Sequence, residues 1–382
     1  MFILPRFCFL VLSGASYILI GLIFSTLSVL LILSKKLFRN KKWVSTHKMV
    51  MHKLYCLAIK QLNFVTYFGA NIKINTVLND MKMLEHFEGQ PFSLMVVNHP
   101  TVIDLLFCVN LHQRLGFPPA YKFLAAKMVK NLFPTFGLSN EFVGNIAVNR
   151  SWKKDKLELS KKLNNTLASE GQLALVYWPE GAFWTSIKRK KAIEYAESRG
   201  IRPFKYHLVP RTKGFNVILK KLVRSSECVG RKFHIYNTQI VFRDNPTLMD
   251  WLNGKEIHID SFIEEIELTE EVRRDALDES LQPEDCKACT KFLFDVFRRK
   301  DELVEEYKRN GNKFLVKDSK GGVLEEAPLL DMFLVWLASV ALTLWLMYYI
   351  FDGLAGLVTA LAVVAASNVL WIVSIYALTK LI

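Results

Sequence analysis

Acidic residues are missing from the first 79 positions, which carry ten Lys or Arg and no Asp or Glu. Charge of either sign is missing from Phe7 to Ser34, a run of 28 residues between Arg6 and Lys35-Lys36. That run exceeds the roughly 20 residues that span a bilayer as a helix. Ser13-Gly14-Ala15-Ser16, the small-residue stretch a leader peptidase would need, lies inside it rather than at its end, so an uncleaved membrane anchor is expected. Charge is also absent from Met332–Phe351 (20 residues) and Gly353–Thr379 (27 residues), with Asp352-Gly353 as a tight turn between them. Neither run has a polar face, which argues against a buried soluble pair and for a membrane hairpin. Cysteine is sparse: Cys8, Cys56, Cys108, Cys228, Cys286 and Cys289 are dispersed, which implies no disulfide framework. Cys286-Lys-Ala-Cys289 is a lone CxxC without the second pair of a zinc site. No internal repeat is present.

What the chain does have in excess is basic charge, +14 net, and apolar residues, 51% of 382. Lys35, Lys36, Arg39, Lys41 and Lys42 follow the first apolar run and place that side in the cytosol. They also suit an anionic lipid surface. Nucleic acid is the other common partner of a basic chain, but no RNA-type aromatic motif accompanies the charge, and a bilayer with anionic lipids accounts for it. The segment Trp43–Ala70 mixes apolar residues with three lysines and reads either as an interfacial helix or as an ordinary surface helix.

Beyond it, Lys73–Leu78 alternates and Phe92–Val97 is an apolar run, giving two strands around a polar segment. A helix is expected from Asp104 to about Leu115, strands over Lys122–Ala126 and Phe142–Val148, and an amphipathic helix over 152–169 with Leu157, Leu163 and Leu167. A buried strand follows over Leu173–Trp178, a helix over Lys188–Ser198, and strands over Tyr206–Val209 and Phe233–Phe242. Residues 291–308 read as a charged helix, and Gly311, Gly321 and Gly322 mark a linker. Strands alternating with helices indicate an α/β fold with a mostly parallel sheet and flanking helices. The expected division is an anchor and basic flank (1–42), a globular domain (43–315), a linker (316–328) and a C-terminal transmembrane hairpin (329–382).

The chemistry centres on Ser93–Asp104, SLMVVNHPTVID. The apolar run delivers Asn98-His99 to a strand end, and Pro100, with its fixed φ, suits the first turn of a helix. Asp104, five positions after His99, then comes back beneath the imidazole. A carboxylate holding one ring nitrogen leaves the other as a general base. Three further stretches follow in order: Gly144-Asn-Ile-Ala-Val-Asn-Arg150, Trp178-Pro-Glu-Gly181 and Leu208-Val-Pro-Arg-Thr-Lys-Gly-Phe215.

The ordered set resembles the PlsC-like 1-acylglycerol-3-phosphate acyltransferase family, with its NHxxxxD, arginine, EGTR and proline blocks. The VPRTKGF wording looks most like the subgroup of lysocardiolipin and lysophosphatidylinositol acyltransferases. The resemblance implies an acyl-CoA-dependent acyltransferase acting on a lysophospholipid, with acyl-CoA as co-substrate and neither cofactor nor metal. His99, Asp104 and Asn98 become catalytic residues: His99 takes the hydroxyl proton, Asp104 fixes its tautomer, and Asn98 orients a partner or meets the developing oxyanion. No serine or cysteine nucleophile stands at a suitable spacing, which favours direct attack without an acyl-enzyme. The implied substrate-binding residues are Arg150, Glu180, Gly181, Pro210, Arg211 and Lys213. Arg150 reads as a phosphate clamp or as a surface ion pair, and Glu180 as a site residue or as the cap of the next helix. Lys188-Arg189-Lys190-Lys191 reads as a site for the CoA phosphates or as a solvated face. The third block departs from the family wording, since Ala182-Phe183 replaces Thr-Arg; Arg211 or Lys213 is expected to supply the missing charge. A catalytically silent lipid-binding or scaffolding relative is the alternative reading. The membrane is expected to be that of the endoplasmic reticulum or of the mitochondrion.

Overall fold

The computed structural model describes residues 8–16, 18–19, 23, 26, 41–69, 71–87, 92–116, 120–126, 144–149, 151–170, 172–350, 353 and 358–359. The basic flank 35–40 lies outside the described residues, as do most of the expected span over Phe7–Ser34 and most of the second apolar run Gly353–Thr379.

In chain order the elements are α1 (Lys41–Phe64), β1 (Ile72–Leu78), β2 (Phe92–Val97), α2 (Asp104–Arg114), β3 (Tyr121–Ala126), β4 (Ile146–Val148), α3 (Trp152–Glu170), β5 (Leu173–Tyr177) and α4 (Ser186–Ser198). Then come α5 (Thr212–Val229), β6 (His234–Phe242), α6 (Leu248–Asn253), β7 (Ile257–Ile266), α7 (Glu270–Leu277), α8 (Lys287–Arg309), β8 (Gly322–Val323) and α9 (Leu329–Ile350). The strands make one eight-stranded sheet in the order β4-β3-β5-β2-β6-β7-β1-β8. Pairing is parallel except between β6 and β7 and between β1 and β8.

β2 and β5 lie at the sheet's centre, and their runs FSLMVV and LALVY are buried at every position, as a strand covered on both faces requires. Period-2 alternation sends Met95 and Val97 to one face and Leu94 and Val96 to the other. The first face packs on Tyr55 and Ile59 of α1 and on Phe107 and Leu111 of α2. The second packs on Leu163 of α3, Phe215 and Leu222 of α5 and Phe297 of α8. The result is a three-layer α/β/α sandwich. α1, which the sequence left open between two readings, is a packed helix of this sandwich: it rests on α2 and α9.

Several expectations are corrected. Tyr206–Val209 is not a strand, because its backbone N–H groups go to side chains: Tyr206 N–H to Asp301 and Leu208 N–H to Glu180. Pro210 therefore breaks no strand; it precedes α5, a helix the sequence reading did not identify, as it did not identify β7. β1 and β2 are not neighbours but are separated by β6 and β7. On α3 the inward leucines are Leu159, Leu163 and the partly buried Leu167, while Leu157 is 80% exposed. The glycine-marked stretch before α9 runs along the sheet edge, where Gly322-Val323 pairs with β1 and Lys320 C=O accepts from Met81 N–H. Cys286 and Cys289 are buried free thiols that donate to main-chain carbonyls at the start of α8.

Among the described residues one helix is long and apolar enough to cross a membrane. It covers Leu329–Tyr349, with mean hydropathy 2.0 in its most apolar window and only 17% of that window buried. Its first turns meet the end of α1. Lys60 pairs with Asp331 at 2.6 Å, and Phe64 packs on Phe333 and Trp336. The helical residues 8–16 join the same cluster through Phe9 and a Trp336 Nε1–H to Ser13 Oγ bond of 2.9 Å.

Leu163→Ala is expected to cost about 2–5 kcal/mol, and Leu157→Ala at most about 0.5 kcal/mol. Denaturant unfolding of detergent-purified protein measures both. Equal costs would show that the helix phase is wrong.

Candidate active site

β2 ends at Val97, and Asn98, His99 and Pro100 leave the sheet in a turn that starts α2 at Asp104. His99 Nδ1 lies 2.6 Å from Asp104 Oδ2. The imidazole is 17% exposed and the carboxylate 2%, so one end of the pair is buried and the other opens outward. Burial pushes the Asp104 carboxyl up, opposed by the imidazole and by the N–H groups of Thr101 and Leu105. With Nδ1–H donating to Asp104, Nε2 keeps its lone pair on the open side. The sequence placed this pair correctly because strand, turn and first helical turn are all local.

Asn98 takes a different part from the one expected. Its amide nitrogen donates to Ile240 C=O at 2.9 Å, and its amide oxygen accepts Ile240 N–H at 2.7 Å. Each polar atom bonds to the main chain of β6, so Asn98 clasps the turn that carries His99 to the sheet.

Glu180 also departs from its expected role. It follows β5, next to β2 in the sheet, and is buried. Oε1 accepts His99 N–H at 2.8 Å, and Oε2 accepts Leu208 N–H at 2.9 Å. The carboxylate thus joins the first and fourth blocks through their main chains. It does not cap α4 either, because Thr185 does that by accepting Lys188 N–H. A further main-chain bond, Trp184 N–H to His99 C=O at 2.9 Å, holds the third block to the first.

Gly181 turns the chain with φ +65°, and a Cβ there would meet Arg211 Nε at 2.8 Å. The Arg211 side chain therefore lies directly over Gly181, and its own N–H donates to Pro179 C=O at 2.8 Å. Pro210 is buried beneath this contact. Lys213, in the first turn of α5, places its ammonium 5.8 Å from the Trp152 ring centroid. Arg150 lies outside the described residues. Its neighbours are fixed: Asn149 and Ser151 both donate their N–H to the Asp155 carboxylate, at 2.7 and 2.8 Å.

Where the family wording has Thr-Arg, Phe183 stands edge-on to the His99 ring at 6.0 Å. Trp178 flanks the same ring at 6.1 Å. Lys188 sits over the Phe183 face at 3.8 Å, so the first cation of the 188–191 run turns toward the site. Sequence reasoning missed Asp155, His207, Lys300 and Asp301, all of which hold these blocks from a distance.

Among the described residues, one cluster has the donors a metal ion uses, and it lies at the opposite, amino ends of β2 and β6: His86, His234 and Glu265. Its geometry favours hydrogen bonds. His86 Nδ1 is 2.6 Å from Tyr236 Oη, His234 Nδ1 is 2.7 Å from Glu265 Oε1, and the two rings stack at 3.8 Å. Stacked rings direct their in-plane lone pairs side by side, not toward one ion.

Residues 80–229, which contain all four blocks, match the model of the family described as Acyltransferase. The match makes residues 80–229 an acyltransferase-type domain within the chain. The chain is 31% identical to the 1-acyl-sn-glycerol-3-phosphate acyltransferase delta of Mus musculus, over 62% of this chain and 58% of that protein. The human protein of the same name is 27% identical over 77% of this chain and 72% of its own length. The gamma protein of Mus musculus is 29% identical over 62% of this chain and 58% of its own. The chain thus spans less than two thirds of the mouse relatives that it matches.

The contact between Gly181 and Arg211 is testable. Gly181→Ala is expected to lower the melting temperature more than Gly200→Ala. Both glycines have φ +65°, but a Cβ at Gly200 meets nothing within 4 Å. The left-handed backbone costs each about 1–2 kcal/mol; the excess at Gly181 measures the displaced arginine. Equal shifts would mean that Arg211 does not rest there in solution.

Proposed function

We propose that the protein is a membrane-bound acyl-CoA:lysophospholipid O-acyltransferase of phospholipid synthesis or remodelling. The observation that carries the reading is the 2.6 Å His99–Asp104 pair at the carboxyl end of a central strand, with Nε2 on the open side. That is where parallel sheets place their sites.

The reaction needs one proton moved twice. Nε2 of His99 accepts the proton of the lysophospholipid hydroxyl as its oxygen attacks the thioester carbonyl. Asp104 stabilises the imidazolium that forms and holds the ring in the required tautomer. Collapse of the tetrahedral intermediate breaks the C–S bond, and the imidazolium returns the proton to the departing CoA sulfur. The products are the acylated phospholipid and free CoA. No acyl-enzyme enters this scheme, and Asn98 holds the turn that carries the base.

The acceptor phosphate is assigned to the amino end of α5. There Arg211 rests over Gly181, Lys213 stands in the first turn, and the helix dipole adds favourable potential. This places a cation where the third block lacks its arginine. Lys188 and Arg150 are assigned to the same anionic substrates. The membrane assignment is supported by α9, and α2 ends against the segment that leads into it. Arg114 of α2 donates to the carbonyls of Leu324 and Glu325, just before α9 begins. Eleven residues of helix cover about 16 Å, so His99 and Asp104 stand close to the membrane face. The relatives named above are called 1-acyl-sn-glycerol-3-phosphate acyltransferases; lysophosphatidic acid therefore heads the acceptor panel, with lysophosphatidylinositol and lysocardiolipin beside it.

Purified protein with labelled acyl-CoA and that panel is expected to acylate one acceptor, and His99→Ala to abolish transfer while still entering membranes. Equal background from both folded proteins would leave the silent lipid-binding reading. Arg211→Ala is expected to reduce kcat/KM for the phosphate-bearing acceptor about tenfold or more, from the roughly 1.5–3 kcal/mol of a hydrogen bond to a charged group. Unchanged kcat/KM would remove Arg211 from the phosphate site.

A further inference from the structure

Lys300 of α8 is completely buried and lies well beyond residue 229, where the family match ends. A buried amine is costly, and an apolar side chain of similar volume would fill the slot without that penalty. Its position explains its presence. Main-chain pairing of β2 with β6 ends at Val97 and Thr238. Lys300 Nζ bridges the two strands at that point, donating to Val96 C=O at 3.0 Å and to Thr238 C=O at 2.6 Å. Just beyond, the Asn98 amide clasps Ile240. The seam below His99 is therefore closed by side chains.

Lys300 also lies within electrostatic reach of Glu180, the carboxylate that accepts from His99 and Leu208. Burial pushes the Lys300 ammonium down to about 7, while the Glu180 and Glu264 carboxylates oppose that fall. The next residue, Asp301, holds the other end of the same bridge. It accepts Lys205 N–H at 2.6 Å and Tyr206 N–H at 2.9 Å and lies 2.8 Å from His207 Nδ1. Two consecutive residues of α8 thus hold the two segments that Glu180 joins.

We propose that Lys300 is a positioning residue for acyl transfer, tying β2 to β6 beneath the Asn98–His99 turn so that Glu180 fixes the main chain carrying the base. This rests on the acyltransferase reading of His99. Lys300 touches no substrate; it acts through strand ends and through Glu180.

The test is Lys300→Met, which fills the slot without donors, examined in the full chain in detergent. Acyl-CoA binding counts the intact sites, and labelled transfer gives turnover per site. The expected result is unchanged binding stoichiometry and KM for acyl-CoA, with kcat per site about tenfold lower or more, since small misplacement of a reacting group costs up to about 10²-fold. Hydrogen exchange is expected to quicken across 92–104 at the same time. A residue needed only for folding would reduce the number of sites and leave turnover per site unchanged, and that result would overturn the proposal. Should the Met variant yield no acyl-CoA-binding protein, Lys300→Gln, which keeps two N–H donors, is measured in its place. Stability supplies a second readout. Between about 7 and the ordinary 10.5 the unfolded lysine keeps a proton that the folded amine has released. Raising pH from 7 to 10 should therefore stabilise wild type relative to Lys300→Met; parallel pH dependences would overturn the burial on which the proposal stands. Wild-type protein that binds acyl-CoA but transfers nothing would bring down the acyltransferase reading itself, a result that neither outcome for Lys300 imitates.

Discussion

A buried carboxylate that accepts two main-chain N–H groups organises this molecule. Glu180 cannot be left without donors where it sits, because an unpaired charge in a protein interior costs several kcal/mol. The donors come from His99, at the end of β2, and from Leu208, in a loop more than a hundred positions later in the chain. Satisfying one side chain therefore sets the distance between the candidate base and the basic amino end of α5. The left-handed turn at Gly181, the seat of Arg211 over it, and the bond from Trp184 to His99 all follow from where Glu180 must point.

The surroundings of His99 are apolar as well as fixed. Phe183 and Trp178 flank the imidazole, and Phe123 stacks on Trp178 at 6.3 Å. In such a setting the attraction between a carboxylate and an imidazolium is stronger than in water, because the local dielectric is lower. The replacement of Thr-Arg by Ala182-Phe183 thus does two things. It leaves the third block without a cation and sets a ring beside the imidazole, while Arg211 lies over Gly181 and Lys188 over Phe183 from other elements.

The part of the site legible in the sequence was the part built within one short stretch. His99 and Asp104 are five residues apart, and a strand, a proline turn and a helix start suffice to bring them together. The clasp made by Asn98 was illegible for the opposite reason: its partner, Ile240, is 142 positions away, and nothing local marks the pairing. The same holds for Lys300, whose acceptor Val96 is 204 positions distant. Tyr206–Val209 had the composition of a strand, but side-chain carboxylates took its N–H groups before any ladder could. Leu157 had the right residue type for a core and the wrong helical phase, two positions from Leu159. The fold class was readable because continuous apolar runs in β2 and β5 demand cover on both faces. The antiparallel partners β7 and β8 were not, since strand direction depends on connections that span the whole chain.

The edge strand β8 has a consequence for how the molecule meets its lipid. Val323 is pinned to β1, and α9 begins six residues later at Leu329. Six extended residues reach about 20 Å at most, and the Arg114 grip on Leu324 and Glu325 shortens even that. With α9 in a bilayer, this short connection holds the sheet edge within that distance of the helix start. The height of the candidate base above the bilayer is then fixed by a strand pairing rather than by a linker, so the sheet edge works as a ruler.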